Sequence, residues 1–261
     1  MPSPTTAKQE SELRLFLYPG RSDPYLSRMA WSRPPVDPQW QPLMQEWRAR
    51  QLEMAARVVE RPLRPLPRLV AGADAALSPD KDWVLAAVVV FDRETRTVVE
   101  TVHGAAKVEY PYIPGYLGFR ESPALLDAFR KVRSPFEVAM FDGMGKAHPR
   151  RCGIAVQMGV TLDVPAIGVG KSRLFGTHRE PGLEAGAVEP LWDRQDRIGA
   201  VLRSKDKVKP LYISVGHKAD LETAVELVRA CGLGYRLPEP TRLADREAAR
   251  FKIGWAAPEP A

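Results

Sequence analysis

A chain of 261 residues, 44% of them hydrophobic, is long enough for one large domain or two small ones and apolar enough to bury a core. No apolar run approaches the ~18–20 residues of a membrane span, and the chain does not start with a basic segment leading into an apolar one. Its two cysteines are too few for a disulfide framework or a structural zinc site. Cys152 and Cys231 both sit among apolar residues and read as buried thiols in a reducing cytosol, so the expected location is cytoplasmic. The formal charge of +6 suits a phosphate-rich partner, because Lys and Arg displace condensed counterions from a nucleic-acid backbone, although many basic proteins bind none.

Residues 1–40 are rich in proline and without period, and read as an irregular extension in which Trp31 and Trp40 suggest some docking. From Pro42 to Glu60, Met44, Trp47, Met54, Ala55 and Val58 recur at helical spacing. The proline-rich run 61–68 ends that pattern. Three strands follow, Leu69 to Leu77, Trp83 to Asp92 and Thr97 to Lys107, joined by short turns that make them antiparallel neighbours. Phe136 to Phe141 and Ala166 to Val169 read as two more strands, with a helix between them starting at Pro149, a parallel crossover. Segment 176–197 has no period and reads as a surface loop. Ile198 to Arg203 and Leu211 to Val215 are strands on either side of a charged turn at 205–209, followed by a helix through Leu221, Ala224, Val225 and Val228 that Gly232 ends. A last helix runs from about Arg242 to Ile253. This order is that of an α/β fold with a ribonuclease H-like mixed β-sheet, antiparallel strands leading into parallel ones, flanked by helices. The expected organisation is one catalytic domain over 41–255, with the extension before it and a short tail, 256–261, after it.

The candidate chemistry lies in four carboxylates and a lysine. Asp74 interrupts a strand of small apolar residues, where a carboxylate is costly unless a cation compensates it; the ordinary alternative is a residue facing water. Asp142 ends a strand and opens Gly143-Met144-Gly145, at the sheet end where ligands collect, although Asp-Gly pairs more often just start turns. Glu121 reads as lying near a helix start, where the dipole alone favours an acid, and Asp245 lies in the last helix, where a solvated face is the default. Together they form the oxygen-rich set that magnesium prefers, and phosphodiester hydrolysis needs such a metal. Lys171, just after a strand, is placed to orient a nucleophile or balance phosphorane charge; the alternative is a surface lysine. In Tyr110-Pro111-Tyr112-Ile113-Pro114-Gly115-Tyr116, two prolines stiffen the loop around Tyr112, either as a wedge for a base stack or as a satellite core. Lys146, His148, Arg150 and Arg151 read as basic groups at a helix N-terminus, a setting for phosphate. His148 and His217 read as catalytic or phosphate contacts, His103 and His178 as incidental.

In order, Gly72-Ala73-Asp74, Pro111-Tyr112-Ile113-Pro114-Gly115 with Phe119-Arg120-Glu121, Asp142-Gly143-Met144-Gly145-Lys146-Ala147-His148-Pro149-Arg150, Ile167-Gly168-Val169-Gly170-Lys171-Ser172, Ser214-Val215-Gly216-His217 and Leu237-Pro238-Glu239-Pro240-Thr241-Arg242-Leu243-Ala244-Asp245 resemble the successive motifs of the endonuclease V family, from roughly Pro42 to Phe251. The resemblance implies a ribonuclease H-like fold. It also implies magnesium-dependent hydrolysis, with manganese able to substitute, of the second phosphodiester bond 3′ to a deaminated purine, above all deoxyinosine in DNA. The products carry 3′-hydroxyl and 5′-phosphate ends, and the nick initiates repair. It implies metal binding by Asp74 and Asp142, completed by Glu121 and Asp245, with Lys171 as the catalytic lysine and Tyr112 as the wedge. Backbone near Gly115, Leu117 and Gly143 is then expected to line the pocket of the flipped base, with Pro114, His148, Arg150 and His217 as further substrate contacts. The rival readings are a nuclease of the same fold acting on inosine in RNA or on branched or flapped DNA, and a non-catalytic inosine binder. Met144 departs from the pattern, since the family often has histidine there, as do Ala75 and Ala76, where it has serine or another residue. A monomer that does not engage membranes is expected.

Overall fold

Runs of small and branched apolar residues between Leu69 and Lys107 form an antiparallel meander: β1 (Leu69–Leu77), β2 (Trp83–Asp92) and β3 (Thr97–Lys107). In β2 every residue from Val84 onward is buried, as a strand covered on both faces requires. Strand β4 (Val138–Phe141) lies parallel to β1, and β5 (Ala166–Gly170) parallel to β4 across the helix α3 (Ile154–Leu162). Strand β8 (Leu211–His217) then pairs antiparallel with β5, and the hairpin β6 (Val188–Asp193) and β7 (Asp196–Leu202) completes the order β3-β2-β1-β4-β5-β8-β7-β6. This is the expected mixed sheet, and its two halves meet at β1 and β4.

Alternate residues along each strand enter different cores. Ala71, Ala73, Ala139 and Phe141 pack with Ala124, Leu125, Ala128 and Phe129 of α2 (Leu117–Lys131) and with Ile154, Ala155 and Met158 of α3. On the other face, Val138, Met140, Ile167 and Val215 pack with α4 (Leu221–Ala230), while Val89 and Phe91 meet Leu243 and Ala244 of α5 (Glu239–Ile253). The N-terminal helix, α1 (Gln41–Ala56), buries Met44, Trp47 and Gln51 and sets Met54 and Ala55 against Cys152, Val156 and Val160.

The computed structural model describes residues 37–257. The chain divides into two units, 1–41 and 42–261. Of the first, the described part is a 3₁₀ turn, Pro38–Trp40, whose Asp37 carboxylate accepts from the Gln39 amide. The docking expected of Trp31 lies outside the described residues, as does the tail from residue 258. Both cysteines are buried and unpaired, and burial pushes each thiol up to about 12. No helix among the described residues is long and apolar enough to cross a membrane.

Four local expectations need correction. The first helix stops at Ala56 rather than Glu60, because the next backbone groups bond elsewhere: the Val59 amide donates to His217 Nδ1 and its carbonyl accepts from the Lys218 amide. Strand β4 begins at Val138, since Glu137 instead turns its carboxylate onto the amides of Arg68 and Leu69. The segment expected as a loop over 176–197 contains β6, an edge strand that tolerates Pro190 and buries only Leu191, so no alternation advertised it. The helix expected from Pro149 begins at Ile154, because Arg151 adopts a left-handed conformation (φ 55°) that breaks any earlier turn.

Candidate active site

Register brings the first two carboxylates together. Ala73 pairs with Phe141 across β1 and β4, and the Asp142 amide donates to the Ala73 carbonyl at 3.1 Å, so Asp74 and Asp142 leave adjacent strands side by side. Asp245 comes from α5, which sits unusually close to the sheet. A Cβ on Gly72 would lie 2.0 Å from the Pro240 carbonyl oxygen, so only glycine lets this helix approach β1. One carboxylate oxygen each from Asp74, Asp142 and Asp245 lies within 4.8 Å of the others. Lys171, one residue beyond β5, ion-pairs with Asp142 and reaches Asp245 Oδ1 at 2.5 Å. The Arg236 guanidinium holds the lysine's backbone by donating to the carbonyls of Lys171, Pro210 and Lys209.

Glu121 stands outside the group of three but feels its charge. Its helix starts at Leu117, so Glu121 belongs to the second turn, not to the first turn where the dipole would explain it. Burial, then the charges of Asp74 and Asp142, push its carboxyl up to about 8. Burial and then the charge of Asp142 raise Asp74 to about 7, and burial raises Asp142 despite Lys171. Burial pulls the Lys171 ammonium down, but its hydrogen bonds to Asp142 and Asp245 outweigh that and hold it above the ordinary lysine range. These acids destabilise one another's charged forms, and the nearby cations, Lys171 with Arg236 at Asp142 and Arg120 at Glu121, compensate them only in part. A hard divalent cation fits such oxygen donors, since it would remove the mutual repulsion that raises their affinity for protons.

The tyrosine loop is tied at both ends. Pro123 lacks the N–H that would bond the Phe119 carbonyl one turn back, and the Tyr110 hydroxyl takes that acceptor at 3.1 Å. At the other end Gly115, at φ 79°, presents its carbonyl to three donors: Arg150 Nη2 at 2.6 Å, Gln51 Nε2 at 3.0 Å and His148 Nε2 at 3.1 Å. Trp47 of α1 lies beneath, stacked on Phe119 at 5.0 Å and edge-on to Tyr110 at 4.6 Å. Between these anchors Tyr112 is 45% exposed, and Leu117 is also exposed at the start of α2.

Other expected contacts are placed differently. Because α3 starts late, the basic residues before it do not stand at a helix N-terminus. Lys146 pairs with Glu60, and Arg151 with Asp193 and Asp196, while His148 and Arg150 serve Gly115. Burial, reinforced by the Arg150 charge, lowers His148 to about 3, and its Nδ1 accepts from the Arg150 amide at 3.2 Å, so the neutral ring donates from Nε2. His217 pairs with Ala166 at the start of β5, the strand end opposite Lys171, and is buried with its nitrogens directed at Val59 and Asp163. Met144 is buried with Ala147, Leu191, Ile198 and Val201 and fills the space beside Gly170. Gly143, next to Asp142, packs against Ile154 with no room for a Cβ, and Pro114 is half-buried in the tyrosine loop. Sequence reasoning missed Gln51, Trp47 and Arg236. A glutamine on the apolar stripe of α1, four residues from a tryptophan, was the one available signal.

The family model for Endonuclease V matches residues 52–246. An Endonuclease V from a Roseiflexus species is 43% identical over 217 residues, 83% of this chain and 97% of the relative. The crystal structure of the Endonuclease V of Streptomyces avermitilis superposes with a TM-score of 0.76 at 39% identity, covering 80% of this chain and 93% of that one. Ciona intestinalis Endonuclease V, crystallised with a 24-mer DNA containing an inosine followed by a ribo-adenosine, has a TM-score of 0.69 at 25% identity, covering 82% and 99%.

Proposed function

Because this chain belongs to the endonuclease V family, we propose that it is a magnesium-dependent endonuclease that recognises deaminated purines, deoxyinosine above all, in DNA. It hydrolyses the second phosphodiester bond on the 3′ side of the lesion, leaving 3′-hydroxyl and 5′-phosphate ends and starting repair. The observation that carries this reading is the convergence of Asp74, Asp142 and Asp245 around Lys171 at one end of the sheet. The inosine-bearing DNA held by the Ciona relative supports the substrate class.

In this mechanism Asp74, Asp142 and Asp245 would hold the divalent cation, with Glu121 completing the acidic site and manganese able to replace magnesium. Held there, such a cation would supply polarisation of a phosphate oxygen and a lowered pKa for the attacking water. Lys171 stays protonated between Asp142 and Asp245 and offers its ammonium to charge developing on the phosphorus oxygens. Tyr112 enters the base stack from its anchored loop, and backbone at Gly115, Leu117 and Gly143 lines the pocket of the extruded base. His148 and Arg150 act on the substrate through that loop, by fixing Gly115. The catalytic unit is residues 41–255.

The ribo-adenosine after the inosine in the Ciona complex favours one second reading, inosine in RNA as substrate. Matched DNA and RNA oligomers, each carrying one inosine, separate the two. Cleavage of the DNA oligomer is expected, and cutting confined to RNA would overturn the DNA reading.

A further inference from the structure

We infer that Gln51 is a specificity-determining positioning residue, which sets the conformation of the tyrosine loop from the N-terminal helix; this rests on the reading that the loop probes the base stack. Gln51 is 1% exposed, and every hydrogen-bonding group on its side chain is used. Both amide hydrogens are donated, to the Gly115 carbonyl at 3.0 Å and the Cys152 carbonyl at 3.1 Å, and Oε1 accepts from Arg150 Nε. The same Arg150 donates through Nη2 to the Gly115 carbonyl and lies 4.2 Å over the Tyr116 ring. Gln51 thus orients the guanidinium that grips Gly115 and grips Gly115 itself. Through Cys152 it also ties the loop to the chain just before α3.

Gly115 is the joint at the C-terminal end of the loop. Gly115 adopts φ 79°, and a Cβ there would lie 2.8 Å from Arg150 Nη2, so its carbonyl can face three donors only through a glycine in the left-handed region. Tyr112, three residues earlier, has its position limited by this joint and by the Tyr110–Phe119 hydrogen bond. Trp47, one helical turn before Gln51, supports the loop's aromatic underside, so α1 offers an apolar and a polar contact on one face. Gln51 touches none of the carboxylates, and its loss acts on base selection rather than on metal binding. It lies one residue before the span matched by the family model.

Two substitutions separate this role from space-filling. Gln51→Met keeps volume and removes all three hydrogen bonds, and Gln51→Glu keeps an acceptor for Arg150 while losing both donors. Two readouts are taken beside the wild type: amide exchange of loop 110–119, and the ratio of cleavage rates on inosine and adenine oligomers. Both variants are expected to speed loop exchange about tenfold, leave β1 and β4 within about twofold, and narrow the inosine-to-adenine ratio about tenfold at unchanged half-saturating magnesium. Unchanged loop exchange in a folded variant overturns the positioning role. Faster exchange with an unchanged ratio overturns the specificity role. A wild type that does not prefer inosine refutes the functional reading and the specificity role with it, and loop exchange still decides the positioning role.

Discussion

Gly72→Ala tests whether the close approach of α5 to the sheet positions the acids. The added Cβ would lie 2.0 Å from the Pro240 carbonyl oxygen and 2.1 Å from its carbonyl carbon, whereas ordinary contact begins near 3.4 Å. Both atoms are backbone, so no rotamer change relieves the clash, and the helix N-terminus must retreat by about 1.4 Å. Asp245 is five residues further along the same helix and travels with it, opening its 2.5 Å contact to Lys171. A misplacement of about 1 Å costs a reacting geometry about 100-fold. Overpacking of this kind costs about 1–3 kcal/mol, which a domain stable by about 5–15 kcal/mol survives. The assay measures kcat and half-saturating magnesium on an inosine oligomer, beside a thermal melt. The expected result is a kcat about 100-fold lower, a raised magnesium requirement, a modest loss of melting temperature and substrate affinity within a few-fold of wild type. A kcat within about threefold of wild type, with the melting temperature lowered, would show that the helix yields without moving Asp245 and that its close approach does not position the acid.

Asp142→Ala is expected to lower cleavage about a thousandfold or more, the several kcal/mol that a metal supplies to such a transition state, while binding to inosine DNA stays measurable by gel shift; cleavage near the wild-type rate removes Asp142 from the site. His148 gives a pH prediction. Its ordinary value of 6.5 falls to about 3 in the fold, so between those values the unfolded chain binds a proton that the folded chain refuses. Stability therefore rises with pH across this window and is lost as pH falls below 6.5. At about 1.4 kcal/mol per unit, moving from pH 6.5 to 4.5 removes up to ~3 kcal/mol. His148→Gln should flatten that slope in denaturant melts, and an identical acid slope in both proteins would contradict the burial argument.

The parts of this site that were legible in the sequence are those where chemistry opposes its surroundings. Asp74 among alanines, Asp142 at a strand end before glycine and Lys171 just past a strand each stood out locally, and the sheet order placed them at one end. The meander and the crossover were equally legible, because hydrophobic runs and turn residues agreed. Pro190 and a single buried residue disguise β6, a hairpin partner of β7 that carries no alternation of its own. What else stayed hidden depends on partners distant in sequence. Lys146, His148, Arg150 and Arg151 looked like phosphate ligands until Glu60, Gly115, Asp193 and Asp196 came within reach. His217 lies in a motif of the family yet sits at the far end of β8, bonded to residues that no local pattern connects to it. Gln51 shows nothing in sequence beyond its place on an apolar stripe.

If the acids around Lys171 form the cutting site, the backbone is broken at a fixed distance from a deaminated base. The most direct test is magnesium-dependent nicking of a duplex with one deoxyinosine, mapped at single-nucleotide resolution. One nick is expected, at the second phosphodiester bond 3′ to the lesion, with a 3′-hydroxyl end and none without a divalent cation. A folded protein that leaves this duplex intact in magnesium, or cuts it without regard to the inosine, is not an inosine-directed nuclease.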